Sequence, residues 1–201
     1  MYLKRIIRKA ILWYSLRNRN RKAKNIVAWL TSQGVRDVLF VGAMGEEHDS
    51  NSDMVNVDIV EKRIAERFNV KMGINLTSAI TPYPFMIVSA CDMPFETDYV
   101  DFALANAIIE HVGFESEQKK MVEEMTRVAR SWVITTPNKW FPIESHTSAL
   151  FVHWVPSWRK RHFDDFSRLL SRGEFRKLLP SEAKLHGMPW SPIFTAYFTR
   201  K

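Results

Sequence analysis

Cysteine is nearly absent from this 201-residue sequence, with Cys91 alone. One thiol closes no internal disulfide and gives zinc no thiolate pair, which points to a reducing compartment such as the cytosol. No apolar run approaches the roughly 20 residues needed to cross a bilayer, so the chain is expected to be soluble or peripheral. Acids are missing from residues 1–24, where nine Lys and Arg stand: Lys4, Arg5, Arg8, Lys9, Arg17, Arg19, Arg21, Lys22 and Lys24. A secretory signal is excluded there, because charge interrupts the apolar residues and no small-residue cleavage site follows. The first strand-like run, VLFV, meets Gly42 and Gly45 in VLFVGAMGEEHDSNSDMVNVDI (38–59), yet no regular glycine fingerprint follows.

What the chain does contain suits one globular domain, with 46% hydrophobic and 12% aromatic residues. The net charge of +7 is unevenly spread: residues 25–156 carry 10 basic and 18 acidic side chains, and residues 157–201 carry 10 basic and 4 acidic. An acidic centre between basic ends argues against a nucleic-acid-binding protein, whose central site would be positive as well.

Leu3, Ile6, Ile7, Ala10, Ile11 and Tyr14 recur at helical spacing, with Lys4, Arg5, Arg8 and Lys9 away from that face. Such a basic amphipathic helix either docks on its own domain or lies on an anionic membrane surface, Trp13 and Tyr14 at the interface. Residues 1–34 are therefore read as a basic helical segment preceding a domain over 35–201.

Further along, 22–33 reads as helix closed by Gly34. Val38–Val41, Met54–Val57, Phe85–Ser89, Phe102–Ala105 and Trp132–Thr135 read as strands, the last stopped by Pro137. Residues 116–130 and 164–179 read as helices, and 183–186 and 193–199 as further strands. Alternating strands and helices predict an α/β fold: a Rossmann-like, mostly parallel sheet covered on both faces, with an antiparallel C-terminal strand.

In such sheets ligands bind beyond the carboxyl ends of the strands, where strand order reverses. The residues just after each strand are Gly42, Asp58, Ser89 to Phe95, Asn106 to His111, and Thr136 to Asn138. Two of these segments, CDMPFETDYVDFALANAIIEHVG (91–113) and EEMTRVARSWVITTPNKWFPIESHT (123–147), resemble the class I S-adenosylmethionine-dependent methyltransferases, most closely the type 11 group. The first is similar to that family's third-strand loop, its fourth strand and the "EH" that follows. The second is similar to its helix ending in "RV" and its fifth strand ending in "TPN". The likeness runs from about residue 35 to 147 and implies a seven-stranded sheet and S-adenosylmethionine as cofactor.

On that resemblance, Gly42 lets the backbone approach the cofactor, and Asp58, followed by Ile59, accepts the ribose hydroxyls. Ser89 stands where the family has its adenine-facing acid, with Ala90 beside it and Asp92 and Met93 following in the same loop. Asn106 falls at the methionine end. The glycine pattern departs from the family, since Met44 and Glu46 replace its second and third glycines.

The sulfonium is already electrophilic, so the protein chiefly aligns an acceptor and excludes water. A hydroxyl acceptor also needs a base, for which His146 and His111 are the candidates, with Glu110 and Glu144 to orient or replace them. Glu144, His146 and His153 have no recognised metal spacing, and no metal is expected. Residues 139–163, rich in aromatics, lie where the family carries a substrate lid and suit a sugar, a lipid headgroup or another acidic acceptor. The resulting expectation is methyl transfer to a small-molecule, glycan or lipid-linked acceptor near a membrane. A non-catalytic binding protein of the same fold and a nucleic-acid methyltransferase are the alternatives. An NAD dehydrogenase is least favoured, lacking the third glycine of that fingerprint.

Overall fold

In the computed structural model, residues 2–44, 59–143, 150–155, 157, 158, 161 and 167–200 are described. A long helix, α1 (Tyr2–Ser32), leads into β1 (Asp37–Val41). Then come α2 (Ile59–Ala65), β2 (Asn69–Asn75), β3 (Phe85–Ile87) and β4 (Val100–Asn106). A short 3-10 turn (Ile109–His111), α3 (Glu115–Val128) and β5 (Ala129–Pro137) complete the central part. A second 3-10 turn (Val152–Trp154), α4 (Arg172–Leu178), β6 (Lys184–His186) and β7 (Ile193–Thr199) follow.

The seven strands form one sheet in the order β3-β2-β1-β4-β5-β7-β6. The first five strands are mutually parallel, while β7 runs antiparallel to β5 and to β6. This is the expected α/β architecture, with the change in strand order between β1 and β4.

Each face of the sheet has its own core. On one face Ala23, Ile26, Val27 and Leu30 of α1, with Val60 and Ile64 of α2, cover Val38, Phe40, Phe102, Leu104 and Val133. On the other, Met121, Met125 and Val128 of α3, with Phe175 and Leu178 of α4, cover Leu39, Val41, Ala103, Trp132 and Ile134. Central strands apolar on both sides are what parallel pairing under two helical layers demands. The two helical readings of the N-terminus merge into the single α1. It ends where Gly34, at φ +65°, lets the Val35 and Gly34 N–H groups donate back to the Leu30 and Thr31 carbonyls.

One expected element lies outside the described residues and another is corrected. Met54–Val57 lies outside the described residues, but the strand beside β1 is Asn69–Asn75, with Val38 opposite Val70 and Val41 opposite Ile74. A parallel crossover needs a dozen or more residues, and α2 lies within the span between β1 and β2. The helix expected over 164–179 begins only at Arg172, because Ser171 caps it. The Ser171 hydroxyl accepts from the Glu174 N–H at 3.3 Å, and the Glu174 carboxylate accepts from the Ser171 N–H at 2.8 Å.

Candidate functional site

Strand register assembles the site. Val41 pairs with Ile74 on one side and Ala105 on the other, so Asn75, Gly42 and Asn106 leave the carboxyl edge of the sheet side by side. The Val88 N–H donates to the Asn75 carbonyl at 2.9 Å, which brings Ser89 to the same edge. Asn106 pairs with Thr135, adding Thr136 beyond it.

The turn after β1 is held by backbone. The N–H groups of Gly42 and Ala43 both donate to the Ile74 carbonyl, and the Asn75 amide donates to the Ala43 carbonyl at 3.0 Å. Gly42 sits at φ +74°, and a Cβ there would lie 2.3 Å from the Ile108 side chain. The glycine is thus required by its conformation and by Ile108, a reason additional to the cofactor approach expected from sequence.

Beside it lies a polar cluster. The Asn106 carbonyl oxygen accepts from the Lys22 ammonium at 2.6 Å and the Thr135 hydroxyl at 2.9 Å, while its amide donates to Glu61 at 2.9 Å. Ala107 takes a left-handed φ of 59° that few non-glycine residues adopt, held by its N–H donating to the Thr135 carbonyl and hydroxyl. Lys22 is part-buried, with its ammonium held against Asn106. Desolvation pulls its pKa down to about 8 against the opposing pull of Glu61 and Glu110. Desolvation likewise lowers Arg19.

Glu110 is fully buried and accepts from the Thr136 hydroxyl at 3.0 Å. Its neighbour His111 is exposed, with Nδ1 3.0 Å from the Ser167 hydroxyl. Across the edge, the loop after β3 is clamped to α3. Glu124 accepts from the Met93 N–H at 2.8 Å, and Arg127 donates to the Met93 and Phe95 carbonyls and to Glu124.

The structure therefore gathers Gly42, Ser89, Ala90 and Asn106 along one edge, with Glu110 below it. Met93 is 3% exposed and packs in the core, so its side chain does not line that edge. Asp92 points to solvent. The Ser89 hydroxyl accepts from the Cys91 N–H at 3.1 Å, folding the loop back on itself. Asp58 and His146 lie outside the described residues, and Ile59 is the first residue of α2 rather than the end of a strand. Asn75 takes the strand-end position assigned to Asp58. Sequence reasoning missed Asn75, Lys22 and Glu61. A cavity of about 260 Å³ lined by Asp101, Arg130, Ser131 and Arg200 lies at the opposite, amino edge of β4 and β5.

Residues 37–132 match the methyltransferase domain family, a span that begins with β1 and reaches into β5. That segment is a methyltransferase domain of class I fold. The whole chain is similar in fold to a Pyrococcus horikoshii protein at TM-score 0.59 and 10% identity, covering 92% of this chain and 91% of that one. It is also similar to the Synechocystis magnesium protoporphyrin IX methyltransferase with bound S-adenosylhomocysteine, at TM-score 0.55 and 10% identity, covering 90% and 83% of the two chains. Among curated relatives, an Arabidopsis thaliana tRNA (carboxymethyluridine(34)-5-O)-methyltransferase is 27% identical over 71 residues, 35% of this chain and 17% of that protein. The match thus spans under a fifth of that relative's length. The cofactor of this family is S-adenosylmethionine.

Proposed function

We propose that this domain binds S-adenosylmethionine at the carboxyl edge of β1, β2 and β4 and transfers its methyl group to a small-molecule, glycan or lipid-linked acceptor. The observation that carries the reading is the set of donors and acceptors converging on the β1–β4 switch point: Asn75, the Gly42 turn, Ser89 and Asn106. Their chemistry fits the cofactor. The Asn75 side-chain oxygen accepts from the Leu76 N–H at 2.7 Å and keeps its second lone pair for a ribose hydroxyl. Ser89 and the Ala90 backbone suit an adenine edge, and Asn106 serves the amino-acid end.

Bound there, the cofactor supplies a methyl group activated by its sulfonium. The chain's own work is to hold that end fixed, exclude water and accept a proton where the acceptor carries one. His111, exposed beside Ser167, is the described base candidate, and His146 the other. Glu110, buried against Thr136, is suited to holding the edge in shape.

Titration calorimetry with S-adenosylmethionine and S-adenosylhomocysteine tests the reading. Binding of both in the micromolar range is expected, and no binding of either at high micromolar concentration refutes it. A tRNA acceptor is the second reading, favoured by the Arabidopsis relative's activity. Salt-dependent RNA binding supports it, and none at low salt dismisses it.

The membrane reading concerns α1. Among its described side chains the buried ones start at Ala23, and Trp13 and Tyr14 are 62% and 48% exposed. At 1.5 Å per residue, the helix before Arg19 has a length of about 25 Å. Removing residues 1–20 is expected to abolish sedimentation with anionic vesicles, and unchanged sedimentation counts against peripheral attachment.

A further inference from the structure

The helical face of α1 that packs on the sheet changes character along its length. Ile26 and Leu30 are fully buried over Phe40 and Phe102. Lys22 and Arg19 continue the same face at the spacing of one and two turns toward the amino end. The change from apolar to cationic falls at the edge of the sheet, because the Lys22 ammonium bonds Asn106, the last residue of β4.

A cation set this deep calls for negative charge, and what surrounds it offsets its burial only in part. Its close partner, the Asn106 carbonyl, is neutral. Glu61 and Glu110 act on it from α2 and from the turn after β4, and Arg19 on α1 opposes them. The balance still falls on the side of desolvation. The ammonium stands against Asn106 at the carboxyl edge of the sheet, where an anionic ligand group arriving at that residue meets it.

We infer that Lys22 binds the carboxylate of the cofactor's amino-acid end, so that α1 contributes a ligand-binding residue to the methyltransferase domain. The inference rests on S-adenosylmethionine binding at this edge. Of the cofactor's parts only that carboxylate is an anion, and Asn106 stands where the amino-acid end belongs. Lys22 precedes the segment that matches the family, which is why no motif marks it.

Decarboxylated S-adenosylmethionine keeps the sulfonium, the nucleoside and the amine and lacks only the carboxylate, so paired titrations isolate the contact. The wild-type protein is expected to prefer S-adenosylmethionine at least tenfold. Lys22→Met is expected to weaken S-adenosylmethionine about tenfold and to leave the decarboxylated compound within twofold. Equal weakening of both, or of neither, overturns the role, as does a wild type without preference. A wild type that binds neither compound refutes the cofactor reading itself.

Should Lys22→Met fail to fold, the pH profile of the wild type decides. The carboxylate is charged throughout, and the titration of each ligand's own amine, at about 8 in S-adenosylmethionine and about two units higher in the decarboxylated compound, is measured separately and subtracted. The preference should therefore be full below about pH 8, where Lys22 is protonated, and should decline above it. A preference unchanged between pH 7 and 10 overturns the inference.

Discussion

The corner after β1 and the loop after β3 meet at the same edge of the sheet and are built in opposite ways. The corner rests on backbone: Gly42 and Ala43 donate to one carbonyl, and Asn75 and Ile108 close around them. The loop rests on charge, with Arg127 and Glu124 on α3 gripping Met93 and Phe95. A corner of that kind tolerates almost no added atom. A loop of this kind depends on two ionised groups at the protein surface, 35% and 19% exposed, where charge is cheap to lose.

The largest effect should come from adding one methyl group to the corner. Gly42→Ala demands a left-handed conformation of a residue with a Cβ and drives that Cβ into Ile108. Strain and overpacking of this sort together cost about 3 kcal/mol. Thermal or urea unfolding should show the loss. The double variant Gly42→Ala, Ile108→Ala should recover the part due to the clash and retain the part due to φ. No recovery would place the whole cost in the backbone.

A smaller effect separates the two candidates for the ribose contact. Asn75→Ala removes a side chain that leaves the sheet beside Gly42 and holds the Ala43 carbonyl. It should weaken S-adenosylhomocysteine binding about tenfold, or about 1.4 kcal/mol. Asp58→Ala should change it less than threefold, since α2 starts directly after that residue. The reverse order would restore Asp58 to the position it was first assigned.

That contrast also explains what could be read without a structure. The strands Val38–Val41 and Phe102–Ala105 were legible because sheet centres bury both faces and leave continuous apolar runs. The strand Asn69–Asn75 was missed because Asp58, a carboxylate after a short apolar segment, gave a sharper signal than NVKMGIN. In the latter Val70, Met72 and Ile74 alternate at strand spacing around Lys71 and Gly73, and its end at Asn75 carries no charge to attract attention. Met93 was drawn into the site by its place in the loop motif, although an apolar residue beside Pro94 fits the core as readily. Lys22 was hidden for another reason. Among nine cations in 24 residues it looks solvated, and only its spacing of four from Ile26 and eight from Leu30 marks the buried face.

The clamp on the other loop should yield the smallest change, and its pH dependence gives the sign. The Arg127 hydrogen bond, above all, holds the Glu124 carboxyl below the usual carboxylate range, and the Met93 N–H adds to it. A depressed carboxyl contributes stability above its unfolded pKa and loses it as pH falls through the folded value. Glu124→Gln keeps one oxygen to accept from the Met93 N–H, removes the ion pair and replaces the oxygen that accepts from Arg127 Nε with an amide donor, so at neutral pH it should cost about 1 kcal/mol. The wild-type advantage should shrink through the acid range, and the two proteins should unfold alike once Glu124 is protonated. An advantage that survives at that pH would mean the loop is held by shape, as the corner is, and the difference between the two would vanish.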